Sequence, residues 1–182
     1  VVPHLMDPDF GFARYAENVL TKPQITAWRA GRVKAVGSKT APELYAAHLS
    51  QREAAQILSN FFYDVRLKSR IELRADDSMP PRYIAAYAQL VKSVFGSPAA
   101  LQNVLRHYAG ITTLDITTAK LAVCKDGFNA LAYGKPISSE LTWLLMQARS
   151  RTPSQEERAL LDPFMALVMK RKTIRETENY NE

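Results

Sequence analysis

The sequence has little of the material from which disulfides, metal centres and catalytic sites are built. Its 182 residues include one cysteine and three histidines, which excludes an internal disulfide and a cysteine-rich zinc site. Neither a glycine-rich phosphate loop nor an apolar run of about 18 residues is present. The lone Cys124 favours a reducing compartment. The chain length predicts one domain over residues 1–176, followed by a frayed tail at 177–182.

Positive charge is concentrated in one early part of the chain. The formal net charge is +6, and residues 22–74 carry ten basic side chains against four acidic ones. A positive surface indicates an acidic partner, such as a phosphate backbone, an anionic lipid or an acidic peptide. The alternative interpretation is a solvated face that only keeps the protein soluble.

Helix start signals are frequent along the chain. Thr40 with Glu43 and Ser50 with Glu53 have the spacing of capping boxes, and Pro98 follows a serine as a first-turn proline should. Together with the spacing of apolar residues, these signals predict helices at 42–49, 51–73, 81–95, 98–109, 111–126, 138–150 and 153–175. The sequence therefore predicts an all-α fold, a single compact domain of about six to seven helices.

Residues suited to catalysis are few. Cys124 lies in an apolar stretch and is predicted to be a packed core thiol. A nucleophilic cysteine or serine needs a base within hydrogen-bond reach, but His107, at helical spacing from Asn103, is predicted to be a buried, hydrogen-bonded histidine. We therefore expect a protein that is not an enzyme and that uses no metal and no cofactor.

Residues 50–74 admit two interpretations. Their beginning resembles the first helix of a helix-turn-helix motif. An exposed recognition helix would not present Phe61, Phe62 and Tyr63, however, so one continuous amphipathic helix is favoured. Such a helix places Arg66, Arg70 and Arg74 on one face, because they recur every four residues.

A second group of cations lies upstream, beside Trp28. It consists of Arg29, Arg32, Lys34 and Lys39. Guanidinium groups bind both oxygens of a carboxylate, so the two groups together predict a basic patch for acidic ligands. Each exposed pair contributes only about 0.2–1 kcal/mol, which predicts weak, salt-sensitive binding.

Residues 135–153 resemble a segment of the DotM (IcmP) proteins and their plasmid homologue TrbA, components of type IVB secretion and conjugation systems. The shared positions are Lys135, Pro136, Leu141, Trp143, Leu145, Thr152 and Pro153. Upstream, Val104, His107, Ala109 and Asp126-Gly127 are similar to a second block of the family. Leu20-Thr21-Lys22-Pro23 is loosely similar to a third.

The resemblance implies a cytoplasmic, all-α domain at the inner membrane of a bacterium, following membrane helices that this chain does not contain. A chain that starts at Val1 fits such a fragment. The resemblance also implies two kinds of partner: the coupling ATPase with other coupling-complex subunits, and acidic, Glu-rich secretion signals on transferred substrates. The alternative is a plasmid- or phage-encoded DNA-binding regulator that uses the helix-turn-helix-like segment at 50–74, with nucleic acid as its partner.

Overall fold

The computed structural model describes residues 2–45, 48–67, 70–74, 76 and 78–178. The chain divides into two compact units, Val1–Asp77 and Ser78–Glu182, which we call the N-terminal and C-terminal units. The prediction of one domain over residues 1–176 stays a prediction. Of the predicted frayed tail at 177–182, residues 179–182 lie outside the described part.

The N-terminal unit combines short helices with two hairpins. In chain order it contains α1 (Phe12–Leu20), β1 (Thr26–Arg29), β2 (Arg32–Ala35), α2 (Ala41–Leu44), α3 (Gln51–Ser59), β3 (Val65–Leu67) and β4 (Ile71–Leu73). β1 pairs antiparallel with β2, and β3 pairs antiparallel with β4. Its core gathers Val19, Ala27, Leu44, Ile57 and Phe61.

The C-terminal unit is helical apart from one very short hairpin. It contains α4 (Pro81–Phe95), α5 (Pro98–His107), α6 (Thr113–Asp126), β5 (Leu131–Ala132), β6 (Lys135–Pro136), α7 (Ile137–Ser150), α8 (Gln155–Ala159), α9 (Asp162–Lys170) and α10 (Ile174–Thr177). α4, α7 and α9 pack around a core that includes Val94, Leu145, Ala148, Leu161 and Val168.

The fold is thus mostly helical, and the all-α prediction is wrong in its strict form. Within the described residues, seven helices are at least nine residues long, but three two-stranded sheets are also present. In the same part of the chain, no helix is both long and apolar enough to cross a bilayer.

Local signals located the starts of α3, α4 and α5, but they did not predict α1 or the separate starts of α9 and α10. Both predicted capping boxes are formed: the backbone N–H of Thr40 donates to Glu43 at 2.7 Å, and that of Ser50 donates to Glu53 at 2.8 Å. The prediction for 81–95 matches α4, and the helix predicted at 138–150 begins one residue earlier, at Ile137. Short-range hydrogen bonding explains this accuracy, because a cap depends on residues only three positions apart.

Two long helices predicted from the sequence are wrong. The helix predicted at 51–73 ends at Ser59, and after Asn60 the buried residues Phe61 and Tyr63 alternate with exposed Phe62, which is the period of extended chain. The helix predicted at 153–175 is divided into α8, α9 and α10. Pro163 lies in the first turn of α9, where a proline can begin a helix but cannot continue the preceding one.

Candidate acidic-ligand interface

The first hairpin turns through two residues. Ala30 and Gly31 both have positive φ, 49° and 77°, as a two-residue turn between twisted strands requires. Glycine meets this requirement without strain, whereas an alanine does so rarely. Because Ala30 replaces the usual asparagine or aspartate, this turn has only a weak signal in the sequence.

The register of the hairpin brings three of the predicted patch residues together. Arg29 lies opposite Arg32, and Ala27 lies opposite Lys34. Paired residues share a face, and residues two apart on a strand share it too. Arg29, Arg32 and Lys34 therefore occupy one face of the sheet, which we call the basic face.

Two of the three cations on the basic face are exposed to solvent. Arg32 and Lys34 are exposed, and Arg29 is half-buried, with its guanidinium 5.0 Å from the ring centre of Tyr45. None of the three forms an ion pair with another described residue. Like charges directly opposite each other on a hairpin repel, so an added carboxylate is favourable at the Arg29–Arg32 pair.

An acidic group that interacts with Arg29, the carboxylate of Glu53, is already hydrogen-bonded elsewhere. Glu53 caps α3, and the pKa of Glu53 is lowered first by hydrogen bonds from Ser50 and to a smaller extent by the charge of Arg29. Its carboxylate accepts from both the backbone and the hydroxyl of Ser50. The cap therefore fixes this carboxylate at the start of α3 and leaves the basic face with excess positive charge.

α3 packs along β1, where it contacts side chains of the opposite face of the hairpin. Gln56 donates to the hydroxyl of Thr26 at 2.8 Å, and the guanidinium of Arg52 lies 4.4 Å from the ring centre of Trp28. Asn60 continues the same side of the helix and accepts from the Thr26 backbone at 2.8 Å. The predicted patch omitted Arg52. The four-residue spacing of Arg52, Gln56 and Asn60, which places all three on one side of α3, was the signal that could have indicated the contact of Arg52 with the hairpin.

The three arginines predicted on one helical face lie instead on and beside the second hairpin. Arg66 is only 6% exposed, and its guanidinium binds both oxygens of Glu72 at 2.8–3.0 Å. Arg74 donates to the same carboxylate at 3.0 Å and covers the ring of Phe62. Arg66 therefore faces inward and Arg74 is paired, and the predicted helical row does not exist because the helix ends at Ser59.

Two further patch residues lie apart from the basic face. Arg70 is exposed next to β4. Lys39 is exposed in the loop before α2, where its charge contributes to the lowered pKa of Glu43, which the cap hydrogen bonds from Thr40 lower more. The structure thus places Arg29, Arg32 and Lys34 on one face of the first hairpin, whereas the other four lie outside β1 and β2.

A second cluster of polar side chains lies in the C-terminal unit. Glu140 of α7 is only 5% exposed and accepts from His107 at 2.9 Å, with Lys135 at 3.3 Å on its other oxygen. The ring of Trp143 stacks on His107 with 3.5 Å between centroids. His107 is therefore hydrogen-bonded, as predicted. Its partner Glu140 was not predicted from the sequence, because an acidic residue in the first turn of a helix is usually explained by its favourable interaction with the helix N-terminus.

Electrostatics within this cluster favour the ionised form of the Glu140 carboxylate. Burial raises the pKa of Glu140, but hydrogen bonds from His107 and Lys135 lower it by more, so the net shift is downward. Burial, followed by the charge of Glu140, raises the pKa of Tyr108 and of Tyr133. The three motif residues His107, Lys135 and Trp143 thus meet around one acid that holds α5, β6 and α7 together.

Trp143 also borders a groove between α7 and α9 of about 520 Å³. Met165, Val168 and Met169 form its apolar wall, and Arg171 lies at one end. Arg171 donates to the carbonyl of Phe128 at 2.6 Å. The guanidinium thereby connects the end of α9 with the loop that precedes β5.

Cys124, another sequence candidate for chemistry, lies in a different environment from the predicted one. Cys124 is exposed, so its prediction as a packed core thiol is wrong. α6 buries Ala119 but leaves Leu121 and Val123 exposed, because the apolar stretch around Cys124 lies mainly on the outer side of the helix. Within the described ranges, no three histidine, cysteine or acidic side chains are close enough to hold a metal ion.

Comparisons with known proteins add no assignment. A scan against protein-family models and a search of curated proteins found no match to this chain. The resemblance of residues 135–153 to the DotM and TrbA proteins stays a prediction.

Proposed function

We propose that this protein binds acidic, Glu-rich segments of partner proteins through the basic face of the first hairpin, and that it acts as a recruiting component rather than as an enzyme. The observation that carries the proposal is the grouping of Arg29, Arg32 and Lys34 on one face. Carboxylates suit this face because two guanidinium groups lie side by side, and no acid in the described part of the chain forms an ion pair with either.

The resemblance to DotM and TrbA supplies the biological setting of the proposal. In that setting the chain is the cytoplasmic part of a type IVB secretion or conjugation component at the bacterial inner membrane. Its partners are the coupling ATPase, other coupling-complex subunits and the acidic signals of transferred proteins. Weak binding suits such a role, because a substrate must be released after it is captured.

DNA binding is the competing function. It was predicted from the helix-turn-helix-like segment at residues 50–74. α3 ends at Ser59, and the described residues between 60 and 74 form β3 and β4 instead of a second helix. The helix-turn-helix interpretation of 50–74 is therefore wrong. A regulator would have to use the basic face itself, which predicts affinity for duplex DNA that falls steeply with salt.

The experiment is a fluorescence-anisotropy titration of a labelled Glu-rich peptide and of a DNA duplex at several salt concentrations. Arg32→Glu/Lys34→Glu is expected to weaken peptide binding about tenfold, since each pair contributes up to about 1 kcal/mol and the reversal adds repulsion. Binding to the wild-type protein is expected to weaken as salt rises.

The matched control is Arg106→Glu/Lys125→Glu, which changes the net charge equally at two exposed positions of the C-terminal unit. Equal losses in both double variants would show that net charge alone attracts the peptide, and the basic face would lose its role. Tighter binding of duplex DNA than of peptide would favour the regulator.

A further inference from the structure

The first hairpin has one closed edge and one open edge. On the β1 side, the carboxamide of Asn60 accepts from the backbone N–H of Thr26 at 2.8 Å and donates to its carbonyl at 2.9 Å. The hydroxyl of Tyr45 accepts from the N–H of Trp28 at 3.2 Å. Side chains thus occupy the positions that a neighbouring strand would take.

The β2 side has no such cover. Bonded and non-bonded pairs alternate along an antiparallel ladder, and the N–H of Val36 donates to Ile25 at 3.2 Å. This bond sets the alternation, so the N–H and C=O groups of Val33 and Ala35 point away from β1. All four residues of β2 are exposed, and no described residue bonds to those outward groups.

We infer that the acidic segment binds as an extended strand added antiparallel to the open edge of β2, so that the residue opposite Val33 exchanges both backbone hydrogen bonds with it. This inference rests on the proposed function and specifies its geometry. Strand addition supplies backbone hydrogen bonds for affinity, while alternate side chains supply specificity. Exposed edges are otherwise sites of unwanted pairing, and the cations of β2 limit that pairing to acidic chains.

Charge and register together define the ligand. Side chains of the added strand that lie opposite Arg32 and Lys34 share the basic face, and these recur at every second residue. The intervening side chains lie on the face of Val33, which is 49% exposed. The preferred segment therefore alternates glutamate with apolar, β-branched residues, and it does not have the spacing of an acidic helix face.

Two independent perturbations test strand addition. Val33→Pro removes an outward N–H without removing a hairpin bond, a change that edge strands tolerate. It is expected to weaken binding of an alternating Glu-Val peptide about fivefold to tenfold, whereas the matched variant Val33→Thr keeps the N–H and is expected to bind like wild type. Circular dichroism and thermal unfolding verify that both variants fold.

The second perturbation changes only the peptide, so folding of the protein is not at issue. Methylation of the peptide nitrogens at the valine positions, whose N–H groups face β2, is expected to weaken binding about tenfold. Methylation at the glutamate positions is expected to have little effect. This odd–even pattern is the signature of an added strand.

The outcomes separate the inference from the proposed function. If Val33→Pro and all methylated peptides bind like their controls while Arg32→Glu/Lys34→Glu weakens binding, strand addition is overturned and the basic face keeps its role. If the wild-type protein binds neither the alternating peptide nor any other acidic peptide, both fail.

Discussion

Arg66 and Glu72 lie directly opposite each other on the second hairpin, and the guanidinium of Arg66 contacts both oxygens of the carboxylate. Arg66 also donates to the backbone carbonyl of Ser59, the last residue of α3, at 3.4 Å. A residue that sequence spacing assigned to an outward recruiting surface therefore connects the second hairpin to the end of α3.

The first prediction concerns this pair. Arg66→Met is expected to lower the free energy of unfolding by about 1–3 kcal/mol, because it removes a buried side chain and its hydrogen bonds. Urea denaturation measures the change. Arg70→Met, at an exposed neighbouring position, is the control and is expected to change stability by less than about 0.5 kcal/mol.

The double variant Arg66→Met/Glu72→Met is expected to recover part of this loss, since no carboxylate is then left without its partner. Acidic-peptide affinity is expected to stay at the wild-type level in Arg66→Met. A large loss of peptide binding in a folded Arg66→Met protein would contradict the inward role that the structure gives this residue.

The second prediction concerns acid stability and Glu140. Because the pKa of Glu140 is lowered in the folded state, its ionised form contributes stability that is fully present above its unfolded pKa. This contribution is lost as the pH falls through the lower, folded value. Glu140→Gln is therefore expected to reduce stability at neutral pH and to make its decline below about pH 4.5 less steep.

Thermal unfolding measured from about pH 3 to pH 7 tests this expectation. Glu156→Gln removes one exposed carboxylate from α8 and serves as the control. If Glu140→Gln and wild type lose stability in parallel as the pH falls, the contacts of Glu140 with His107 and Lys135 do not stabilise the ionised form.

The third prediction concerns Asn60, whose side chain closes the β1 edge of the first hairpin. Asn60→Ala leaves the N–H and C=O of Thr26 without their partner, and the same carboxamide also donates to the side chain of Gln24 at 3.1 Å. Stability is expected to fall by about 2–4 kcal/mol in denaturant titrations. Asn129→Ala, at an exposed position, should stay within about 0.5 kcal/mol of wild type.

The fourth prediction concerns a buried polar network at the end of α7. The hydroxyl of Thr152 accepts from Gln89 at 3.1 Å and lies 3.0 Å from the hydroxyl of Ser93, which joins α4 to the chain after α7. Thr152→Val keeps the shape but removes the oxygen, so Gln89 loses a buried partner. We expect a loss of about 1–3 kcal/mol in the free energy of unfolding.

Thr142→Val provides the matched control for this network, because it deletes an exposed hydroxyl that donates to the carbonyl of Ser138. A change below about 0.5 kcal/mol is expected there. Equal effects at Thr152 and Thr142 would mean that burial of the network contributes nothing to stability.

Sequence reasoning succeeded where the deciding interaction is short in range. The caps at Thr40 and Ser50 and the bounds of α4 follow from residues within one helical turn. It failed at 60–74, where the helix of α3 was predicted to continue although residues 61–63 alternate between buried and exposed. The alternation of Phe61 and Tyr63 with Phe62 is compatible with an extended strand as well as with a helix. Only the core, which buries the stacked rings of Phe61 and Tyr63, decides for the two-residue period of extended chain.

By itself, the sequence determined where several helices begin, among them α3, α4 and α5, and that positive charge gathers in residues 22–74. Only the tertiary structure decided which of those cations remain available to a ligand. Cross-strand register groups Arg29, Arg32 and Lys34, and the contact with Glu72 holds Arg66 inward. Hydrogen bonds within one helical turn depend only on residues that are neighbours in the sequence. Strand pairing and ion pairing also depend on which segments the fold brings into contact.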